Sequence, residues 1–187
     1  MSSPAVFLDR DGTLNRERGY VTDPAELEVL PGAREALNLL RDAGWRVVVL
    51  TNQAGIAKGL YTPTDLARVH ERLHRDLGAI PLGYFHCPHH PEGLASTGYA
   101  GVCACRKPAD GLLRRAAAVC NLSLAGSVVV GDSARDLLPA RGHGMRTVLV
   151  RSGKPWEREL ATLTEAGAAP DAVVDDVLAV ARWIVAR

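Results

Sequence analysis

Short, continuous apolar runs alternate along the chain with segments whose apolar residues recur every three or four positions. The runs at 6–8, 47–50, 128–130 and 147–150 are too short for buried helices and predict strands covered on both faces. A further strand is predicted at 82–85. The helix at 62–77 opens with Thr62 as its cap and Pro63 at its first position. Other helices are predicted at 33–40, 111–120, 134–141, 156–166 and 177–185.

Strands of this kind, separated by helices, indicate an α/β fold with a doubly wound parallel sheet. In such sheets, ligands bind at the carboxyl ends of the strands. Only about 40 residues separate the end of the first strand from the end of the second, and one helix uses part of them. We therefore expect residues 1–187 to form a single domain without an inserted cap. Substrate selection then falls to the loops at 15–29 and 86–106.

Composition narrows the class of protein. The 22 basic and 21 acidic residues nearly cancel, so no overall field favours nucleic acid or a membrane surface. No apolar stretch reaches the ~20 residues of a spanning helix, and the first residues do not have the pattern of a secretory signal. A cytoplasmic protein is expected, and the lack of apolar heptads favours a monomer. In that compartment the four cysteines are expected to be metal ligands or core residues rather than disulfides.

Two carboxylates directly follow the first predicted strand. Asp9 and Asp11 are two positions apart, which on an extended chain points both side chains the same way, and Gly12 lets the backbone turn away. Oxygen ligands of this type suit Mg²⁺. One carboxylate can also act as a nucleophile and the other as a proton donor. The alternative is a simple turn, because Asp side chains also bind nearby backbone groups.

Polar groups follow two further strands. Thr51, with the backbone N–H groups after it, can hold phosphate oxygens, although a polar turn explains the same residues. Asp132 is placed to complete a magnesium site with Asp9 and Asp11, and Asp136, one helical turn later, could support the same site. The alternative is a helix N-cap with acidic residues in the first turn, and both can be true because a capping carboxylate can also face a metal. Ahead of the 111–120 helix, Lys107 offers the charge that a reacting phosphate needs, although such a residue is often solvated surface.

These four motifs, which along the chain run Asp9 and Asp11, Thr51, Lys107 and Asp132, resemble those of the haloacid dehalogenase superfamily of phosphohydrolases. The resemblance implies a Rossmann-like fold and a mechanism in which Asp9 attacks phosphorus to form an aspartyl phosphate. Asp11 would protonate the leaving group and then activate water. Thr51 and Lys107 would contact the transferred phosphoryl group, and Asp9, Asp11 and Asp132 would hold Mg²⁺.

The loop at 86–106 carries three thiols and an imidazole that could form a structural zinc site. The set is Cys87, His89, Cys103 and Cys105. Its loop is rich in Gly, Pro and Ser, so a bound ion would supply the order that apolar residues do not. His86 and His90 remain alternative ligands, and unligated thiols remain an alternative to the site itself. Cys120 ends a helical stripe and is predicted to be core.

A zinc loop immediately before an Arg-Lys pair resembles the heptose bisphosphate phosphatases of this superfamily, whose near relatives act on histidinol phosphate. The resemblance implies a small phosphorylated sugar as the partner and loss of its C7 phosphate. It assigns substrate contacts to Glu17, Arg18, Gly19, Tyr20, Thr51, Asn52, Gln53, Ala54, Arg106, Lys107 and Ser133. The chain offers more positive charge than one phosphate needs, from Arg16, Arg18, Lys58 and Arg106. A second anionic group on the substrate would explain this excess, and ordinary surface residues would explain it equally well.

Three other functions are alternatives to that of a phosphatase. The segment 70–74 matches the HExxH pattern of zinc proteases, but its helical stripe already has a packing role and no third ligand accompanies it. A zinc-stabilised phosphate-binding regulatory module would not need the proton donor Asp11. A phosphomutase on the same scaffold would need a cap to exclude water.

Overall fold

The computed structural model describes residues 2–187, which fold around one parallel six-stranded sheet. The strand order is β3-β2-β1-β4-β5-β6, and every neighbouring pair is parallel. The strands are β1 (Ser3–Leu8), β2 (Arg46–Asn52), β3 (Tyr84–Cys87), β4 (Leu122–Gly131), β5 (Arg146–Val150) and β6 (Ala172–Val174). The predicted doubly wound α/β fold is confirmed.

Helices cover both faces of the sheet. They are α1 (Ala33–Asp42), α2 (Ala54–Ala57), α3 (Pro63–Asp76), α4 (Gly111–Val119), α5 (Ala134–Leu137), α6 (Trp156–Glu165) and α7 (Val177–Val185). Val6 and Leu8 of β1 pack with α1, α3 and α7, whereas Ala5 and Phe7 pack with α4 on the opposite face. The alternation along β1 thus sorts its side chains into two separate cores, which is why a continuous apolar run is required there.

Several elements differ from their predicted bounds. β3 begins two residues later than predicted. β4 begins at Leu122 because its early residues pair with Ser3 and Pro4 before a register shift. The predicted helix at 134–141 divides into α5 and a 3₁₀ turn, Leu138–Ala140, since Pro139 has no N–H to continue an α-helix. β6 was not predicted; it is a three-residue, half-buried edge strand without a long apolar run.

The connections that could carry extra domains are short. Between β1 and β2, the described chain contains only the 3₁₀ turn Pro24–Glu26 and α1, so no cap domain is inserted there. Within residues 2–187, no helix has both the length and the apolar character needed to cross a membrane.

The strand order reverses between β1 and β4. Connections run outward from this pair to both edges of the sheet, which leaves a crevice at their carboxyl ends. Asp9 directly follows β1 and Asp132 directly follows β4. The fold therefore brings together two carboxylates that are 123 positions apart in the sequence.

Candidate active site and zinc cluster

A cavity of about 270 Å³ opens at the carboxyl ends of the strands. It is lined by ten residues predicted from the sequence: Asp9, Asp11, Glu17, Gly19, Tyr20, Thr51, Asn52, Gln53, Ala54 and Arg106. Lys107 and Ser133 are buried and do not line it. Arg18 lies outside it and forms an ion pair with Glu28. Four lining residues were not predicted: Tyr61, His90, Arg135 and Lys154.

Three buried carboxylates meet beside this cavity. One oxygen each from Asp9, Asp132 and Asp136 lies within 4.8 Å of the others. Oδ1 of Asp132 is buried and has no hydrogen-bond partner in the protein. An acceptor left unpaired in a carboxylate cluster would be costly without a cation, so this group fits a magnesium ion.

Lys107 is the cation that the protein itself supplies to this cluster. Its Nζ lies 2.7 Å from Oδ1 of Asp9 and 2.7 Å from Oδ1 of Asp136, and donates to the Leu50 carbonyl at 2.8 Å. Asn52 holds the Lys107 backbone from both sides, since its amide donates to the carbonyl and its Oδ1 accepts from the N–H. The end of β2 thereby fixes a residue of the 88–110 loop at the end of β1.

The electrostatics of the cluster favour proton uptake when no metal is bound. Burial, followed by the charge of Asp136, raises the pKa of Asp9 to about 7 despite the opposing effect of Lys107. Burial and the charge of Asp9 raise the pKa of Asp132 to about 8. Burial would also raise the pKa of Asp136, but Lys107 and then Arg135 outweigh it, and the pKa is lowered. Asp136 and Lys107 are therefore a buried ion pair.

The carboxylate of Asp11 lies outside this three-carboxylate group, although it lines the same cavity as Asp9. β1 ends at Leu8, so the two-residue period of a strand does not extend through 9–11. Oδ1 of Asp11 instead accepts from the buried Arg10 at 2.7 Å and from Asn15 at 2.9 Å. Its Oδ2 accepts from Gln53 at 3.1 Å. Its side chain lines the cavity from a position outside the metal group.

Gln53 connects Asp11 to the end of β2. Its Nε2 donates both to Asp11 and to Oγ1 of Thr51, at 2.7 Å from the latter. The hydroxyl of Tyr61 donates to Oε1 of the same amide, which fixes the amide with its N–H groups towards Asp11. Gly55 leaves room for the Tyr61 ring, because a Cβ there would overlap it. The sequence did not predict a role for Tyr61 in this cavity, because this residue does not follow a predicted strand.

Two glycines keep the space around Asp132 open. Gly12 has φ of +82°, and a Cβ on it would overlap the Asp132 carboxylate. A Cβ on Gly153, in the loop after β5, would overlap the same carboxylate from another side. The backbone N–H of Lys154 donates to Oδ2 of Asp132 at 3.1 Å. The loop after β5 is thus part of the site. It was not predicted, although its polar segment Ser152-Gly153-Lys154 directly follows a predicted strand.

The four predicted zinc ligands lie together in a second cluster. The Sγ atoms of Cys87, Cys103 and Cys105 are 3.2 to 3.5 Å apart, and Nδ1 of His89 lies 3.5 Å from Sγ of Cys105. Ligands held at about 2.0–2.3 Å around one tetrahedral ion have edges of this size or slightly more. The arrangement fits a structural Cys₃His zinc site.

The two alternative histidines lie elsewhere. His86 packs edge-on against the ring of His70, and Nδ1 of His90 accepts from the backbone of Glu92. Cys120 is half-buried against the α4 core, as predicted. The structure therefore places His89, among the three candidates, with the thiols.

The HExxH segment on α3 has a packing role. His70 is buried and stacks on Tyr84, with 5.0 Å between ring centroids, and the ring of His74 meets the same tyrosine edge-on. Within residues 2–187, two groups of ligand-type side chains converge closely enough for one ion, and neither contains these histidines. Among the described residues, nothing completes a zinc-protease site.

Comparison with known proteins gives the family. Residues 6–63 match a model described as haloacid dehalogenase-like hydrolase, and residues 104–180 match a second hydrolase model of the same superfamily. A D-glycero-beta-D-manno-heptose-1,7-bisphosphate 7-phosphatase of Haemophilus ducreyi is 42% identical over 82% of this chain and 86% of its own. A D-glycero-D-manno-heptose-1,7-bisphosphate 7-phosphatase of Thermosynechococcus vestitus is 38% identical over 98% and 96%.

Comparison with solved structures leads to the same group of phosphatases. The D,D-heptose 1,7-bisphosphate phosphatase from B. bronchiseptica, crystallised with magnesium and phosphate, has a TM-score of 0.83 at 36% identity and covers 98% of both chains. The corresponding enzyme from Burkholderia thailandensis has a TM-score of 0.68 at 32% identity. The chain therefore belongs to the haloacid dehalogenase-like hydrolases and, among them, to the family of these heptose bisphosphate phosphatases.

Proposed function

We propose that this enzyme is a magnesium-dependent phosphatase that removes the C7 phosphate of D-glycero-D-manno-heptose 1,7-bisphosphate and leaves heptose 1-phosphate. The observation that carries the proposal is the buried group Asp9, Asp132, Asp136 and Lys107 at the end of β1 and β4. The names of the relatives supply the substrate.

Magnesium would be held by Asp9 and Asp132, with Asp136 and its partner Lys107 behind them. Asp11 would contribute to the metal site only through its backbone, because both oxygens of its carboxylate already accept hydrogen bonds. The donors are Arg10, Asn15 and Gln53. When bound, the ion would offset the repulsion between carboxylates and phosphate and would polarise the phosphoryl oxygens. Lys107, which contacts Asp9 directly, would favour the ionised form that a nucleophile requires.

In the first chemical step, an oxygen of Asp9 attacks phosphorus while the bond from phosphorus to the C7 oxygen breaks. The departing oxygen takes a proton from Asp11, which lines the same cavity. The hydroxyl of Thr51 and the backbone N–H groups after it would hold the non-bridging oxygens. Arg10 lowers the pKa of Asp11 although burial opposes this, so the resting carboxyl is ionised; an incoming phosphate dianion would raise that pKa again.

In the second step, water attacks the aspartyl phosphate. The ionised Asp11 accepts a proton from that water, the bond between phosphorus and Asp9 breaks, and inorganic phosphate leaves. When this bond has broken, Asp9 is ionised and Asp11 carries the proton. After phosphate has left, Asp11 ionises again and takes up a proton when the next phosphate dianion binds. Each step therefore uses one carboxylate as a nucleophile or leaving group and the other as an acid or base.

The sugar would be bound by the remaining lining residues, which include Glu17, Gly19, Tyr20, Ala54 and Arg106. Arg18 is proposed only as an outer contact, since Glu28 holds it away from the cavity. We further propose that the chain works as a single-domain, cytoplasmic monomer with a structural zinc ion on its 86–106 loop. Neither nucleic acid nor a membrane is needed as a partner.

The proposal is tested by phosphate release from a substrate panel. The panel contains both anomers of heptose 1,7-bisphosphate, histidinol phosphate and fructose 1,6-bisphosphate, each assayed with magnesium and with excess chelator. We expect the heptose bisphosphates to have the highest kcat/KM and the chelator to abolish turnover. A strong preference for histidinol phosphate would replace the substrate and keep the mechanism. Turnover of none of the four, by a folded protein with magnesium, would favour the regulatory-module reading.

A further inference from the structure

The two oxygens of the Asp11 carboxylate have different surroundings. Oδ1 accepts from Nη2 of Arg10 at 2.7 Å, from Nε of the same guanidinium at 3.2 Å and from the amide of Asn15 at 2.9 Å. Among the described residues, Oδ2 accepts from a single side chain, the amide of Gln53, at 3.1 Å. An oxygen that already accepts three hydrogen bonds cannot carry a proton without losing some of them. The proton that Asp11 gives to the leaving group therefore belongs on Oδ2.

The orientation of the Gln53 amide affects where that proton can point. Its two N–H groups are both used, one by Oδ2 of Asp11 and the other by Oγ1 of Thr51 at 2.7 Å. In this orientation the amide offers no acceptor to a proton on Oδ2, which is left to point into the cavity. Rotated by half a turn, the amide would present its carbonyl oxygen to Asp11 and would accept the proton that the leaving group needs.

The hydroxyl of Tyr61 contacts the other end of this amide. It donates to Oε1 of Gln53, and both residues are buried, with 6% and 4% of their surface exposed, so bulk water does not compete for the bond. Burial raises the pKa of Tyr61 to about 12, which keeps the hydroxyl protonated and able to donate. A donor at Oε1 favours the orientation in which the N–H groups face Asp11 and Thr51.

The position of the Tyr61 ring is set by packing and not by substrate. The ring belongs to a small apolar cluster with Ile56 and Leu66, against which Tyr99 also packs. The next residue in the chain is Thr62, the N-cap of α3, whose side chain accepts from a backbone N–H of that helix. The hydroxyl is therefore in place before a substrate enters the cavity.

We infer that Tyr61 is a positioning residue for the general acid: through the amide of Gln53, it directs the proton on Oδ2 of Asp11 towards the leaving group. The inference rests on the proposed function. The proton passes from Oδ2 to the C7 oxygen as the bond from phosphorus to that oxygen breaks, and no bond changes at Tyr61 or Gln53. A leaving group that needs no proton should therefore be insensitive to the tyrosine hydroxyl.

Tyr61→Phe tests this, because it removes the hydroxyl and keeps the ring. With heptose 1,7-bisphosphate we expect kcat to fall roughly 3- to 10-fold, the range for losing one hydrogen bond, while KM changes less than about twofold. With p-nitrophenyl phosphate, whose leaving group needs no proton, kcat/KM should change less than about twofold. Tyr99→Phe is the matched control, since it removes a hydroxyl from the same cluster but not the one bonded to Gln53. Thermal unfolding checks that each variant is folded.

A double-mutant cycle with Gln53→Met tests whether the tyrosine acts through the amide. In the Gln53→Met background, we expect Tyr61→Phe to cause no further loss of kcat. Additive losses would overturn the inference, because Tyr61 would then act independently of Gln53.

The single variant has outcomes that would also overturn the inference. A rise in KM with unchanged kcat would indicate that the hydroxyl contacts substrate. Equal losses on both substrates would indicate an effect on the phosphoryl group through Thr51, and no loss on either would show that the amide keeps its orientation unaided. If wild-type protein releases phosphate from neither substrate, the proposed function fails instead, because the inference concerns only the change caused by Tyr61→Phe.

Discussion

Magnesium affinity should depend steeply on pH, because the ion and protons compete for the same carboxylates. Without metal, the pKa values of Asp9 and Asp132 are raised to about 7 and about 8, so both groups are largely protonated at pH 6. Magnesium binds the ionised forms and must release those protons. With the two pKa values treated as independent, the apparent affinity rises on the order of 100-fold or more from pH 6 to pH 8.

Isothermal titration calorimetry measures this directly. Titrations of magnesium in buffers with different ionisation enthalpies give both the affinity and the number of protons released. We expect close to two protons at about pH 6 and fewer than one at about pH 8. In Asp132→Asn, affinity should fall and the release at low pH should drop towards one proton. An affinity that does not change across this range would refute the reasoning, because the carboxylates would then be ionised before metal arrives.

The raised pKa values of Asp9 and Asp132 also determine how the stability of the folded state changes with pH. An acid whose pKa is raised by folding binds more protons in the folded state, so Asp9 and Asp132 should contribute less stability to the metal-free enzyme as pH rises from about 4 to about 8. Burial lowers the pKa of His70, whose contribution has the opposite sign below about pH 6.5. Magnesium binds the folded state and should restore stability most strongly at the upper end of that range. Thermal unfolding with and without magnesium at both ends of the range therefore gives an independent check on the calorimetry.

Three further outcomes are expected. Asp9→Asn should lower phosphatase activity at least 1,000-fold (an order-of-magnitude figure for loss of a nucleophile) while zinc content stays unchanged by atomic absorption; persistent turnover would exclude nucleophilic attack by Asp9. Arg10→Met should lower kcat/KM for a sugar phosphate about tenfold or more, but have a much smaller effect on p-nitrophenyl phosphate, whose leaving group needs no proton from Asp11; equal losses would indicate general damage. Cys105→Ser should abolish stoichiometric zinc and lower the melting temperature, whereas His74→Ala should retain zinc and nearly full phosphatase activity.

Period and chain order predicted five of the six strands and the convergence of the residues that follow them. The first run at 6–8 had to be a buried strand, and residues that follow parallel strands had to meet at one edge. That reasoning placed Asp9, Thr51 and Asp132 together without knowledge of the strand order. It failed for β6, whose apolar run Ala172–Val174 has only three residues and lies half-buried at the edge of the sheet.

The contacts of Asp11 show where local periodicity stops being informative. β1 ends at Leu8, and the backbone turns at Gly12, which has φ of +82°. The contacts that then hold Asp11 come from Arg10, next to it, and from Gln53, after β2. A long-range contact of the second kind depends on loop conformation, which neither hydrophobic spacing nor propensity encodes.

The zinc loop and the carboxylate cluster depend on each other through Lys107. The 88–110 segment has few apolar residues, yet its end delivers this lysine to a position where Nζ touches both Asp9 and Asp136. Cys105 is two residues before it and Cys87 ends β3, so an ion held by both ties the loop to the sheet immediately ahead of the lysine. Because a buried lysine is stable only with its partners correctly placed, a disordered loop would leave Asp9 and Asp136 unpaired in a buried site. A zinc ion held by these thiols would therefore support catalysis by fixing the position of a charge rather than by contacting substrate.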